Sequence, residues 1–104
     1  MSDEQCSLRL TRRYAAGPDE VWRALTEWGS LERWLRPPAG VELREVEPGR
    51  VLELDWPDAS LVRVELAPAA GGTVLVLDHS LIEAARGMRA MRLWSEALDR
   101  LEVA

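Results

Sequence analysis

Between Val41 and His79 the chain alternates apolar and polar residues in four runs joined by very short connections, and this pattern limits the available folds more than any other feature. Val41–Val46 is the first predicted strand of the four, Glu47-Pro48-Gly49-Arg50 a turn, and Val51–Trp56 a strand with Leu52, Leu54 and Trp56 on one face. Pro57-Asp58-Ala59-Ser60 turns the chain again, and Leu61–Leu66 points Val62, Val64 and Leu66 inward and Arg63 and Glu65 outward. Pro68–Gly72 reads as a loop, after which Thr73–His79 alternates once more. A parallel crossover needs about a dozen residues, so connections this short predict an antiparallel meander.

The flanks have other periods. Ser7–Tyr14 alternates with Leu8, Leu10 and Tyr14 on one parity, which Arg12 interrupts. Gly17-Pro18-Asp19-Glu20 is a helix start, with proline at a tolerated position and two carboxylates at the positive end of the dipole. Val21, Trp22 and Leu25 form that helix's apolar face. Trp28-Gly29-Ser30 interrupts it, Ser30 is placed to cap a second short helix bearing Leu31, Trp34 and Leu35, and Pro37-Pro38 forbids continuation. At the far end Gly87, Met91, Trp94, Leu98 and Leu101 recur at helical spacing, with Arg89, Arg92, Glu96 and Arg100 opposite and Glu96–Arg100 ordered for an ion pair. The predicted order is strand, two short helices, four strands and one long helix.

Composition excludes several function classes. At 104 residues the chain has room for one domain, and its 47% apolar content excludes a disordered polymer. Its thirteen cations are all arginine against 18 acidic residues, a net charge of −5, so nucleic acid is not an expected partner and Schiff-base chemistry has no lysine. Abundant Ala, Arg, Leu and Val beside scarce Ile, Phe and Asn points to a GC-rich bacterial genome. Cys6 is the only cysteine, so no internal disulfide or thiolate metal cage forms, and the expected compartment is a reducing cytoplasm. Met1–Gln5 is acidic and polar rather than a targeting signal, and no apolar run reaches the ~18 residues of a membrane span.

Few residues carry chemistry, and each also has a packing role open to it. His79, the sole histidine, shares the inward parity of Leu75 and Leu77 and is either a hydrogen-bonded core residue or a binding group. Asp78-His79-Ser80 fails as a catalytic triad because strand neighbours point to opposite faces. One histidine and one distant cysteine make no zinc site, so neither a metal nor a cofactor is expected. Arg12 is a candidate for an inward carboxylate or for a ligand's polar end, or else pairs with a glutamate at the strand edge, and Tyr14 offers a hydroxyl nearby. Trp22, Trp34, Trp56 and Trp94 either line a pocket for an aromatic or lipid-like molecule or form the core, with Met88 and Met91 as a pliable wall.

The stretch Arg12, Tyr14, Ala16, Val21, Trp22, Ala24, Leu25, Thr26, Leu31 and Trp34 resembles the N-terminal signature of the SRPBCC superfamily, the START-like domains related to the birch pollen allergen. The branch it is most similar to comprises homologues of the heat-shock-protein ATPase activator. Gly72-Thr73 with Leu75, Leu77 and His79 resembles that branch's penultimate strand, and Trp94, Leu98 and Leu101 its terminal helix. The resemblance implies an α+β helix-grip fold, an antiparallel sheet wrapped around a long C-terminal helix. It also implies a groove that binds a small hydrophobic molecule without catalysis, for which Arg12, Tyr14, Trp34, Trp56, His79, Met91 and Trp94 are the candidates. Two alternatives come with it: a protein-interaction module of the ATPase-activator type, and a polyketide cyclase or aromatase. Family members usually carry an extra hairpin where this chain has only Arg36–Gly40, so a sheet of about five strands is expected. Its groove is then more open, filled by tryptophans, or covered at the sheet edge by a protein partner or second copy.

Overall fold

A computed structural model describes residues 4–101, so residues 1–3 of the acidic start lie outside the described residues. The elements follow in the order β1 (Gln5–Tyr14), α1 (Pro18–Thr26), α2 (Trp28–Trp34), β2 (Glu42–Glu47), β3 (Val51–Asp55), β4 (Leu61–Ala69), β5 (Gly72–Glu83), a 3-10 turn (Ala84–Arg86) and α3 (Gly87–Arg100). The strands form one antiparallel sheet in the order β1-β5-β4-β3-β2, with α1, α2 and α3 against one face. This is the expected α+β helix-grip arrangement. Among the described residues no helix is long and apolar enough to cross a membrane.

Strand alternation gives the sheet two unlike faces. One cross-strand row on the inner face runs Leu43, Leu54, Val62, His79, Leu8, so His79 is its single polar member. The outer-face neighbours form the row Arg44, Glu53, Arg63, Asp78, Arg9, which alternates in sign across all five strands. Its ion pairs are Arg44–Glu53 at 3.2 Å, Arg63–Glu53 at 3.4 Å and Arg9–Asp78 at 2.7 Å. Exposed pairs of this kind are weak, because solvent screens them. The alternation still favours one register, because a one-residue slip would turn the charges inward and the leucines outward.

Local structure corrects three expectations. The β4–β5 hairpin runs to Ala69 and resumes at Gly72, so Pro68 is within a strand rather than in a loop. β3 pairs with β4 only as far as Glu65, and Pro68 therefore has no ladder bond to lose on that side. The N-cap of α2 is Glu27, one turn earlier than expected, and the Ser30 hydroxyl instead donates to the Ala24 carbonyl at 2.6 Å. On α3 the ion pair is Arg92–Glu96, whereas Arg100 donates to the Trp34 carbonyl at 3.2 Å and so ties α3 to α2.

The core joins Val21 and Leu25 of α1, Leu31 and Trp34 of α2, the inner strand residues, and Trp94, Ala97 and Leu98 of α3. Met88 and Met91 stay out of it at 89% and 40% exposure, so α3 joins the core from Leu93 and Trp94 onward rather than from Gly87. The N-terminal end of α3 instead packs backbone to side chain, with Gly87 close against the Cys6 sulfur.

Candidate functional site

The groove between sheet and α3 is largely filled. Trp34 and Trp94 are buried, with ring centroids 6.4 Å apart, and Trp56 stacks obliquely on Trp94 at 5.2 Å. His79 meets Trp94 edge-on at 5.9 Å and Trp56 at the same separation. The Trp34 indole N–H is buried with no hydrogen-bond partner among the described residues. Trp22 lies apart from this cluster and donates to Glu45 of β2 at 3.2 Å.

A chain of polar contacts crosses the cluster and fixes its protonation. The Trp94 indole N–H can only donate, so Nδ1 of His79, 2.9 Å away, accepts. A neutral imidazole then carries its proton on Nε2 and donates to Ser60 Oγ at 2.8 Å, and the Ser60 hydroxyl donates in turn to Asp58 Oδ1. Burial lowers the His79 pKa from its ordinary value, with the Asp58 charge opposing. At Asp58 burial is itself outweighed by the Ser60 hydroxyl and amide, with His79 and Arg86 adding to them, so its carboxyl sits below the usual range. Ser60 is held there by an Asx turn, Ser60 N–H to Asp58 Oδ1 at 3.0 Å, and by the register that brings Leu61 opposite Ser80. The hydrogen-bond order runs opposite to that of a nucleophile and its base: His79 donates to the Ser60 hydroxyl rather than accepting from it.

Of the seven sequence-predicted ligand residues, the structure gathers Trp34, Trp56, His79 and Trp94 and places the others elsewhere. Arg12 reaches α3, where it donates to Ser95 Oγ at 3.3 Å and lies 3.7 Å from Asp99, so its partner is a helix aspartate rather than an edge glutamate. The Tyr14 hydroxyl donates to the Leu98 carbonyl at 3.1 Å, and burial pushes its pKa up to about 12. Met91 is exposed. Replacing Tyr14 by phenylalanine removes one half-buried hydrogen bond while keeping the ring, and is expected to cost about 1 kcal/mol. Urea denaturation checks this, and an unchanged midpoint would mean that the Leu98 carbonyl finds another donor.

Two of the concave features lie beside the helices. A pocket of about 180 Å³ opens beside the cluster, walled by Trp56, Ile82, Leu93 and Trp94, with Asp58, Arg86 and Arg89 at its polar side. A wider cleft of about 490 Å³ lies where α2 gives way to β2, among Leu31, Arg36, Pro37, Pro38, Val41 and Leu43. Asp58, Ser60 and Arg89 were not foreseen as site residues. The Asp58-Ala59-Ser60 turn was visible, but its proximity to His79 depends on strand pairing distant in sequence. Among the described residues no group of three or more His, Cys, Asp or Glu is placed to hold a metal ion.

The sequence profile of the Activator of Hsp90 ATPase homolog 1-like protein family matches residues 36–104. The chain belongs to that family. This family lies within the SRPBCC superfamily, and solved structures agree with the assignment over the whole fold. CalU16 from Micromonospora echinospora superposes with a TM-score of 0.79 at 28% identity, over 93% of this chain and 74% of that one. An AHSA1-like protein from Rhizobium etli gives 0.73 at 26% identity, over 94% and 80%. Protein CV1439 from Chromobacterium violaceum, at 21% identity and a TM-score of 0.76, shares the fold. No curated protein sequence matches the chain.

Proposed function

We propose that this family member binds a small hydrophobic molecule and does not transform it, using the pocket between the sheet and the N-terminal half of α3. The supporting observation is that tryptophans fill the groove except beside Trp56, where a space of about 180 Å³ with one apolar wall stays open. The hydrogen-bond order supports a binding role, because both His79 nitrogens and the Ser60 hydroxyl are engaged within the protein. Saturable quenching of tryptophan fluorescence by small apolar compounds is the expected result. Ala90→Phe, which fills the pocket from α3, should abolish the quenching while circular dichroism stays unchanged. A flat response from the native protein across a panel of ring-sized hydrophobic compounds would remove this reading.

A second reading, a protein-interaction role of the ATPase-activator type, is favoured by the cleft of about 490 Å³ beside Pro37 and Val41. There the short Arg36–Gly40 connection stands where the resemblance implied a further hairpin. The adjacent edge strand β2 is mostly charged and carries a register shift between Glu45 and Glu47, features that resist sheet-to-sheet pairing. A partner would therefore be expected to enter the cleft rather than extend the sheet.

A further inference from the structure

We infer that the pocket beside Trp56 selects a single-ring aromatic carboxylate, with Arg89 meeting the negative charge. This rests on the binding role proposed above and specifies its ligand class.

Size limits the body of the ligand. A buried apolar cavity of about 150 Å³ accommodates benzene, and pockets for larger organic ligands run from about 300 Å³ upward. At about 180 Å³ the space suits one ring with a short substituent. Trp56, Trp94, Leu93 and Ile82 offer that ring aromatic and branched surfaces, against which offset or edge-on packing is favourable.

Charge decides the head group. Three ionised side chains line the pocket, Asp58, Arg86 and Arg89. Asp58 Oδ1 is taken by the Ser60 hydroxyl and amide, and Oδ2 lies 3.8 Å from Arg86. Arg86 has Glu83 as a second partner at 3.6 Å. No carboxylate of the described residues pairs with Arg89, and the first turn of α3 contains no acidic residue. The uncompensated charge at the rim is therefore positive and sits on a guanidinium, whose planar donor fork matches a carboxylate. A cationic ligand would need Asp58, which is closed onto the protein. A neutral one would accept from Arg89 only the weaker hydrogen bond of an uncharged acceptor.

Benzoate and benzamide have the same ring and nearly the same size, and differ in head-group charge. Titrated separately into the native protein near neutral pH and low salt, benzoate is expected to bind about five- to tenfold more tightly, the range of one partly exposed charged hydrogen-bonded pair. Arg89→Gln should bring benzoate down to the level of benzamide without altering benzamide, and added salt should weaken benzoate alone. Equal affinities in the native protein, or a difference that survives Arg89→Gln, would overturn the assignment of Arg89 while leaving the binding pocket in place. Failure of both probes to bind would remove the pocket's binding role and this inference with it.

Discussion

Gly72→Ala is expected to destabilise the domain by about 3 kcal/mol or more, at or beyond the upper end of ordinary overpacking costs. β1 ends at Tyr14 directly opposite Thr73, and the chain then crosses over the start of β5. A Cβ on Gly72 would overlap the Tyr14 carbonyl oxygen, 2.9 Å from its carbonyl carbon and 3.0 Å from Ala15 Cα. All three obstacles are backbone atoms, so no rotamer change relieves them. Moving that backbone would disturb the Thr73 hydroxyl's bond to the Ala16 carbonyl at 2.6 Å and the Tyr14 hydroxyl's bond to α3. Gly29 is the natural control. A Cβ there meets nothing within 4 Å, so Gly29→Ala should gain up to about 1 kcal/mol from helix propensity. Chemical denaturation of the two variants beside the parent measures both, and a Gly72→Ala loss below about 1 kcal/mol would mean that β1 yields at little cost.

The order of elements was legible because each rests on a local period: alternation in β2 to β5, proline at the first position of α1, Pro37-Pro38 after α2, helical spacing in α3. What the sequence concealed depends on partners remote along the chain. Pro68 can occupy a strand only because β3 stops short, which no local pattern records. Arg100 bonds the Trp34 carbonyl rather than Glu96 because α3 crosses α2 there. Met91 has the spacing of a core residue, yet α3 packs against the core only from Leu93 onward. The site follows the same division. His79 was legible as inward by parity and Trp94 by helical spacing, whereas Asp58 and Ser60 reach His79 through a turn that only the β4–β5 register places beside it.

His79→Ala is expected to cost about 3 kcal/mol near neutral pH and to remove an acid sensitivity that the parent should show. Truncation leaves a cavity, and it strips the Trp94 indole N–H of its acceptor in a site with no exposure, a loss of about 1–3 kcal/mol on its own. The acid sensitivity follows from the lowered pKa of the folded histidine. Between that folded value and the ordinary 6.5, the unfolded chain holds a proton that the folded protein does not. Stability is therefore complete above about 6.5 and falls as the pH drops through this window, since a proton on Nδ1 would face the donor of Trp94. Asp58 acts in the same direction but lower, because its carboxyl titrates below the ordinary 3.8. Thermal unfolding measured between about pH 5 and 7.5 thus isolates His79 from the carboxylates. The parent should lose stability toward pH 5, and His79→Ala should be flatter there. Equal slopes in the two proteins would place the acid-sensitive group elsewhere and remove the Trp94–His79–Ser60 hydrogen-bond order from which the binding role of the pocket was argued.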